Sequence, residues 1–272
     1  KQSTGRFELL QELLKGNPAV NIVNGLYGKY LYRRSDYGGE RTTSDALSLA
    51  NTAKNPFFLF VNYMEPHAKY QRHPGYDGFE SDRTNENDWQ KYSELSTKSR
   101  EYHTGKLDIS EDDFRHMRTL YDGELRYLDK QLGQLFSGFE QSGLLDDSLI
   151  VVTGDHGENI GEHNLMAHRF SVHDTLLHIP LLISYPDDWD VDRRRCETVV
   201  DLRDIYREIK LVQQTDGRPR LLFEREREDP VAVAEYLGPM VAPEANDQSF
   251  AFKNSEFDRR LGAVIGEEYK LV

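Results

Sequence analysis

The strongest constraint on the fold is the order of short apolar runs and one long amphipathic pattern. Residues 57–61, 148–153 and 180–185 are apolar almost throughout, as expected of strands buried on both faces. Between the first two runs, residues 110–138 keep a 3.6-residue apolar period, which predicts a long helix. Strands that alternate with helices predict an α/β fold with parallel pairing through crossover helices. Helical spacing also predicts earlier helices over residues 7–14, 20–32 and 43–53.

The composition changes after the third apolar run. Residues 187–229 are dense in charge, and the next apolar runs, 231–237 and 262–265, have the length of strands. We therefore expect an α/β core over residues 1–225 and a smaller, β-rich portion over residues 226–272.

Charge and cysteine content exclude several classes of protein. The 272 residues carry 47 acidic and 34 basic side chains, a net charge of −13, which argues against a nucleic-acid partner. The lone Cys196 cannot form an internal disulfide, so the chain is expected in the cytoplasm rather than outside the cell. The longest apolar stretch, residues 57–64, is too short to span a membrane. Nothing in the sequence indicates an oligomeric state.

The densest polar cluster, residues 153–158, directly follows the second predicted strand. Ligands of open α/β sheets gather beyond the carboxyl ends of strands. Asp155 offers a hard oxygen and His156 a borderline nitrogen, and the flanking glycines allow a sharp turn, so the pair could bind one divalent cation. The same residues also suit a simple strand-to-loop turn in which Asp155 caps backbone N–H groups. Both interpretations stay open at this point.

Histidines provide the other candidates. His67 follows the first predicted strand, where it either faces the same rim or ends a turn after Pro66. Four histidines recur at five-residue spacing, which does not fit one helical face and does not indicate a zinc site. His168, next to Arg169, lies shortly after the Asp-His pair and is best placed to contact an anionic substrate. The four are His163, His168, His173 and His178.

Several of these segments together resemble the sulfatase family of the alkaline-phosphatase-like superfamily. Residues 57–67 are similar to the strand of that family that ends in Pro-His, and residues 121–133 to its long helix. Residues 153–163 resemble its metal-binding strand end, and residues 174–183 the following R-V-P-L-I-I strand. Residues 267–271 resemble its C-terminal G-x-Y-K strand, and the likeness as a whole spans roughly residues 40–272.

The resemblance implies an alkaline-phosphatase-like, mostly parallel sheet flanked by helices, and metal-dependent hydrolysis of small-molecule or saccharide sulfate esters. Hydrolysis of phosphodiesters or phosphonate monoesters is the alternative within the superfamily. Asp155 and His156 would ligate a divalent cation, Ca²⁺ in the first place, with Mg²⁺, Mn²⁺ or Zn²⁺ as alternatives. His67 would contact the ester oxygens. The anion contact is His168 when positions are counted from the Asp-His pair, and Arg169 when they are counted back from Pro180.

The chain departs from the family pattern in one respect. Family members carry an early strand with acidic metal ligands and a C/S-x-P-x-R motif, whose Cys or Ser becomes the formylglycine nucleophile, and neither is present here. We therefore expect the C-terminal two-thirds of a sulfatase, inactive by itself. The competing interpretation is a non-catalytic relic that kept the fold. Residues 68–110, rich in Tyr and Trp, are expected to form the rim that recognises the alcohol or sugar of the ester.

Overall fold

The computed structural model describes residues 38–54, 56–76, 86–192, 195–214, 231–238 and 259–272. The helices expected over residues 7–14 and 20–32 lie outside these ranges. The α-helices in these ranges are α1 (Gly39–Thr52), α2 (Glu86–Leu95), α3 (Ser99–His103), α4 (Glu111–Gln141), α5 (Asp174–Leu177) and α6 (Leu202–Gln214). The strands are β1 (Ile150–Thr153), β2 (Asn159–Ile160), β3 (Met166–Ala167), β4 (Leu181–Ser184), β5 (Ala232–Tyr236), β6 (Leu261–Ile265) and β7 (Lys270–Leu271).

Helix α4 is the long helix expected from the sequence, and that prediction is confirmed. A capping box starts it: the Ser110 hydroxyl accepts a hydrogen bond from the Asp113 backbone N at 3.1 Å, and the Asp113 carboxylate accepts one from the Ser110 N at 3.2 Å. Acidic side chains in its first turn also interact favourably with the positive N-terminal end of the helix dipole. Its apolar side, which includes Met117 and Leu120, is buried against the rest of the core.

The main core lies between α4, α2 and the β2–β3 hairpin. It includes Phe114 of α4, Trp89 of α2 and Met166 of β3. Tyr70 is also 97% buried in this cluster, and the Tyr121 ring meets it edge-on with centroids 5.5 Å apart. Tyr70 and Trp89 are therefore core residues, and the substrate rim expected over residues 68–110 stays a prediction.

Strands β1 and β4 pair antiparallel, with Ile150 opposite Ser184 and Thr153 opposite Leu181. The α/β class is confirmed, but the parallel pairing expected for these two strands is wrong. A parallel return needs a crossover, usually a helix long enough to recross the sheet. The connection between β1 and β4 instead contains the short β2–β3 hairpin and the four-residue helix α5, which bring the chain back in the opposite direction.

Residues 57–61 were expected to form a buried strand, and that expectation is wrong. The structure assigns no strand to them, and the side chains of Phe58 and Phe60 are 65% and 77% exposed. Among the described residues no strand pairs with this segment, so its aromatic side chains stay on the surface. The uniformly apolar run could not reveal this, because burial depends on what lies beside the strand.

Helix α1 begins four residues before its predicted start. Thr43 was expected near the N-terminus, but Gly38, with φ of 105°, is the N-cap residue. Thr43 lies one turn inside the helix, and its hydroxyl donates to the Gly39 carbonyl at 3.0 Å. The buried Glu65 takes over part of the capping, because its Oε1 accepts the Gly39 N–H at 3.0 Å.

A buried carboxylate fastens the segment before α2 to α4. Glu124 of α4 is fully buried; it accepts a hydrogen bond from the Gln71 backbone N at 2.6 Å and lies 2.9 Å from His73 Nε2. The His73 ring also stacks on Tyr127, with centroids 4.1 Å apart. Residues 71–73 are thereby held against the long helix.

The C-terminal strands form a separate antiparallel sheet in the order β5–β6–β7. Lys270 of β7 bonds to the Asp174 carboxylate of α5 at 2.6 Å. The expected boundary between residues 225 and 226 lies outside the described residues and stays a prediction. Within the described ranges, no helix is both long enough and apolar enough to cross a bilayer.

Candidate metal and anion site

Asp155 and His156 lie in the turn that follows β1, and they present their polar atoms on the same side. Asp155 Oδ1 accepts a hydrogen bond from the His156 backbone N at 3.0 Å, as the turn-capping interpretation expects. Its other oxygen, Oδ2, lies 3.8 Å from His156 Nε2, and 87% of the carboxylate side chain is exposed. The turn thus uses one oxygen for its own geometry and leaves the second beside the imidazole.

The tautomer of His156 follows from its backbone contact. Its Nδ1 lies 2.9 Å from the carbonyl oxygen of Gly157, which only accepts hydrogen bonds, so Nδ1 carries the hydrogen. Nε2 of the neutral ring then has its lone pair free to bind a metal. A backbone carbonyl that fixes one ring nitrogen is a common support for a metal-ligating histidine.

The two side chains fit a divalent cation. Metal-to-ligand distances of about 2.0–2.6 Å allow one ion to reach both Asp155 Oδ2 and His156 Nε2 across their 3.8 Å separation. No group of three or more ligating side chains gathers within the residues that the structure describes. The pair alone would supply only part of a coordination sphere, and one oxygen with one nitrogen does not select between Ca²⁺ and its alternatives.

Three histidine rings gather at this turn. The His168 ring centroid lies 4.2 Å from that of His156 and 6.0 Å from that of His67. Arg169 is exposed and acts instead on the buried His103, whose pKa is lowered first by burial and also by the Arg169 charge. Of the two candidates for the anion contact, the structure thus places His168 beside the Asp-His turn. The roles of these residues stay predictions.

His67 also has the turn contacts expected from its position after Pro66. Its backbone N donates to the Met64 carbonyl at 2.7 Å, and its Nδ1 lies 2.5 Å from the Ala68 carbonyl oxygen. The second contact leaves the opposite edge of the ring for other partners. The remaining histidines of the five-residue series lie elsewhere: His163 and His173 stack on each other with centroids 3.8 Å apart.

The sequence pointed to Asp155 and His156 but missed Glu158. The Glu158 side chain is only 7% exposed, and its Oε2 lies 3.5 Å from His168 Nδ1. The pKa values of the Tyr70 and Tyr121 hydroxyls are raised, first by the burial of these two tyrosines and next by the negative charge of Glu158. Glu158 stood in the sequence two residues after His156, but nothing there showed that its side chain points inward.

The turn is clamped to helix α5 through Gly157. The Gly157 backbone N donates to the Leu176 carbonyl at 2.8 Å. The two backbones come so close that a Cβ atom on residue 157 would overlap the Thr175 carbonyl oxygen. Glycine is therefore required here for space, and the clamp determines where Asp155 and His156 stand relative to α5.

Replacing Gly157 with alanine is expected to displace this turn. Overpacking against a rigid backbone typically costs about 1–3 kcal/mol, which urea unfolding would detect. Calorimetric titration with Ca²⁺ should also show weaker binding, because the two ligands move apart. Gly154→Ala is the matched control, since its Cβ would have ordinary contacts, the closest at 3.6 Å. Wild-type stability and affinity in Gly157→Ala would refute the clamp.

Comparisons with known proteins identify the family of the chain. The sulfatase family model matches residues 8–209. Over 75 residues the chain is 36% identical to the multifunctional alkaline phosphatase superfamily protein PehA of Trinickia caryophylli, which is 28% of this chain and 14% of that protein. Over 80 residues it is 31% identical to the choline-sulfatase of Rhizobium meliloti (strain 1021), which is 29% of this chain and 15% of that protein.

A solved structure shows the fold. The phosphonate monoester hydrolase of Agrobacterium radiobacter superposes with a TM-score of 0.59 at 20% identity, covering 84% of this chain and 50% of that chain. The likeness establishes an alkaline-phosphatase-like fold, and the chain spans about half the length of that neighbour. Since the family model covers most of the 272 residues, the chain belongs to the sulfatase family.

Proposed function

We propose that this protein hydrolyses sulfate esters with the help of a divalent cation. The observation that carries the proposal is the convergence of Asp155 and His156 with the ring of His168, which lies 4.2 Å from that of His156. A carboxylate, a metal-competent imidazole and a further imidazole at one exposed turn suit an anionic ester. Membership of the sulfatase family supports the sulfate ester as substrate.

The proposed division of work follows from the donor atoms. Asp155 Oδ2 and His156 Nε2 would hold the cation, which when bound supplies positive charge to the oxygens of the transferring group. His168 and His67, each protonated on both ring nitrogens, would donate hydrogen bonds to the ester oxygens, where negative charge grows as the ester bond breaks. His67 lies 6.0 Å from His168, ring centroid to ring centroid, so both can face one small anion.

The nucleophile is expected elsewhere in the protein, because the 272 residues contain no C/S-x-P-x-R sequence. The proposal therefore concerns the intact protein, expressed from its complete gene. Small-molecule or saccharide sulfate esters are the proposed substrate class, and Ca²⁺ is the cation proposed first.

The test compares ester hydrolysis by the intact protein before and after a chelator. We expect turnover of 4-nitrophenyl sulfate that EDTA abolishes and added Ca²⁺ restores. Faster turnover of a 4-nitrophenyl phosphonate ester than of the sulfate would replace the proposal with phosphonate monoester hydrolysis. Turnover of neither ester by metal-loaded protein would indicate the non-catalytic relic. Both results would contradict the proposed function.

A further inference from the structure

We propose that Glu158 is a positioning residue that holds the His168 ring in the orientation needed to meet the ester. The inference rests on the proposed function, since it gives His168 its role at the anion. It adds a side chain that no family motif quoted above assigns and that acts only through His168.

The hairpin between β2 and β3 brings the two side chains close together. Asn159 pairs with Ala167 in the antiparallel register, and this is the last pair of the ladder. Ala167 has a φ of 65°, and His168 lies in the bend that follows it. Glu158 and His168 are thus the residues next to the ends of the two strands, and Glu158 Oε2 lies 3.5 Å from His168 Nδ1.

The hairpin is anchored on both sides of this pair. Asn159 is fully buried; its Nδ2 donates to the Ala167 carbonyl at 3.0 Å, and its Oδ1 accepts from the Thr175 hydroxyl at 2.6 Å. On the other side, Gly157 is bonded to Leu176 of α5. Glu158 thus lies between two fixed residues, and its position does not depend on a mobile loop.

Both members of the pair contain an enclosed atom that lacks a hydrogen bond. Glu158 Oε1 and His168 Nδ1 are inaccessible to solvent and have no hydrogen-bond partner in the part of the chain that the structure describes. A buried polar atom without a hydrogen bond destabilises the folded state. A small rotation of either side chain would bring Nδ1–H and the carboxylate into a hydrogen bond. Catalytic hydrogen bonds are often long in unliganded sites and shorten when substrate binds.

The hydrogen bond would determine which His168 nitrogen meets the substrate. When the ring is protonated, Nδ1–H is directed at Glu158 and Nε2–H is left to donate to the ester oxygens. A carboxylate that accepts from one ring nitrogen in this way fixes the ring plane. The His168 side chain is 32% exposed, so its outer edge remains open to a ligand while its inner edge is held.

The test is a double-mutant cycle on the intact protein, with 4-nitrophenyl sulfate as substrate. His168→Ala is expected to lower kcat/KM by about 100-fold, as expected for a lost transition-state donor. Glu158→Gln should lower kcat by about 10-fold and leave KM within about twofold, because the donor is misaligned and still present. In the His168→Ala background, Glu158→Gln should have no further effect.

Glu162→Gln is the matched control, since this carboxylate lies in the same hairpin and bonds to the Ile160 backbone N at 2.6 Å. It should leave kcat unchanged. An independent readout is the ¹⁵N signal of His168 Nδ1 in the metal-free protein: we expect a protonated, hydrogen-bonded Nδ1, and a weaker hydrogen bond after Glu158→Gln.

The outcomes separate the inference from the function beneath it. Equal losses from Glu158→Gln in both backgrounds would show a structural role and overturn the inference. Wild-type kcat in Glu158→Gln would overturn it too, while a damaged His168→Ala left the proposed function standing. Full activity of His168→Ala would contradict the proposed role of His168 and, with it, the inference.

Discussion

Asp155→Ala is expected to abolish ester hydrolysis by the intact protein and to weaken its affinity for Ca²⁺ by at least about 100-fold, since mutations of mere supporting residues already cost 10–100-fold. The reason is the position of the carboxylate. Its Oδ2 is one of only two ligand atoms that the Asp-His turn offers, 3.8 Å from His156 Nε2. Isothermal titration with Ca²⁺ and steady-state turnover of 4-nitrophenyl sulfate measure the two effects.

A second aspartate provides the control. Asp147 is exposed in the turn that precedes β1, at the opposite end of the strand from the proposed site. Asp147→Ala removes the same charge and should keep both affinity and turnover. If Asp155→Ala retains wild-type turnover, the assignment of the metal site is incorrect.

The largest loss of stability is expected from Glu124→Ala. Removing this fully buried carboxylate leaves the Gln71 N–H and His73 Nε2 without their partner inside the protein. Breaking a buried, hydrogen-bonded pair from one side typically costs about 3–5 kcal/mol. Urea unfolding followed by circular dichroism should show this as a lower midpoint with a similar slope.

Glu140→Ala is the comparison, because this glutamate is exposed on the last turn of the same helix. Its removal should change the free energy of unfolding by no more than about 0.5 kcal/mol. Comparable stability of Glu124→Ala and Glu140→Ala would show that the buried carboxylate is not what fastens residues 71–73 to α4.

Helix α4 could be predicted from the sequence because every signal for it is local. Ser110 and Asp113 are three residues apart and cap the helix by themselves, and the apolar period that follows needs no knowledge of the fold. Residues 232–236 and 261–265 could be recognised as strands for the same reason.

The direction of β4 could not be predicted, because it depends on what the connection from β1 contains. A periodicity analysis does not detect a two-residue strand such as β2, and the hairpin that β2 forms with β3 reverses the direction of the chain. The exposure of Phe58 was hidden for a related reason. A wholly apolar run shows that a segment can be buried, and only its neighbours decide whether it is.

Some residues of the candidate site could be predicted from the sequence and others could not. The Asp155–His156 pair was visible because its two members are adjacent in the sequence and flanked by glycines. The choice between His168 and Arg169 stayed open, since counting from the Asp-His pair and counting back from Pro180 differ by one residue. Only the structure shows which side chain lies beside His156. Glu158 was missed because its partner lies ten positions away and meets it only across the hairpin.

The hairpin allows its tip to vary in sequence but not in length. Gly161, His163 and Asn164 turn the chain with positive φ angles, and other residues that tolerate this geometry could replace the last two. An insertion or deletion of one residue there would shift the pairing of Asn159 with Ala167. Such a shift turns each later side chain of the strand to the other face. The carboxylate of Glu158 and the imidazole of His168, which flank this short ladder, would then lose the close approach of 3.5 Å that the present hairpin length gives them.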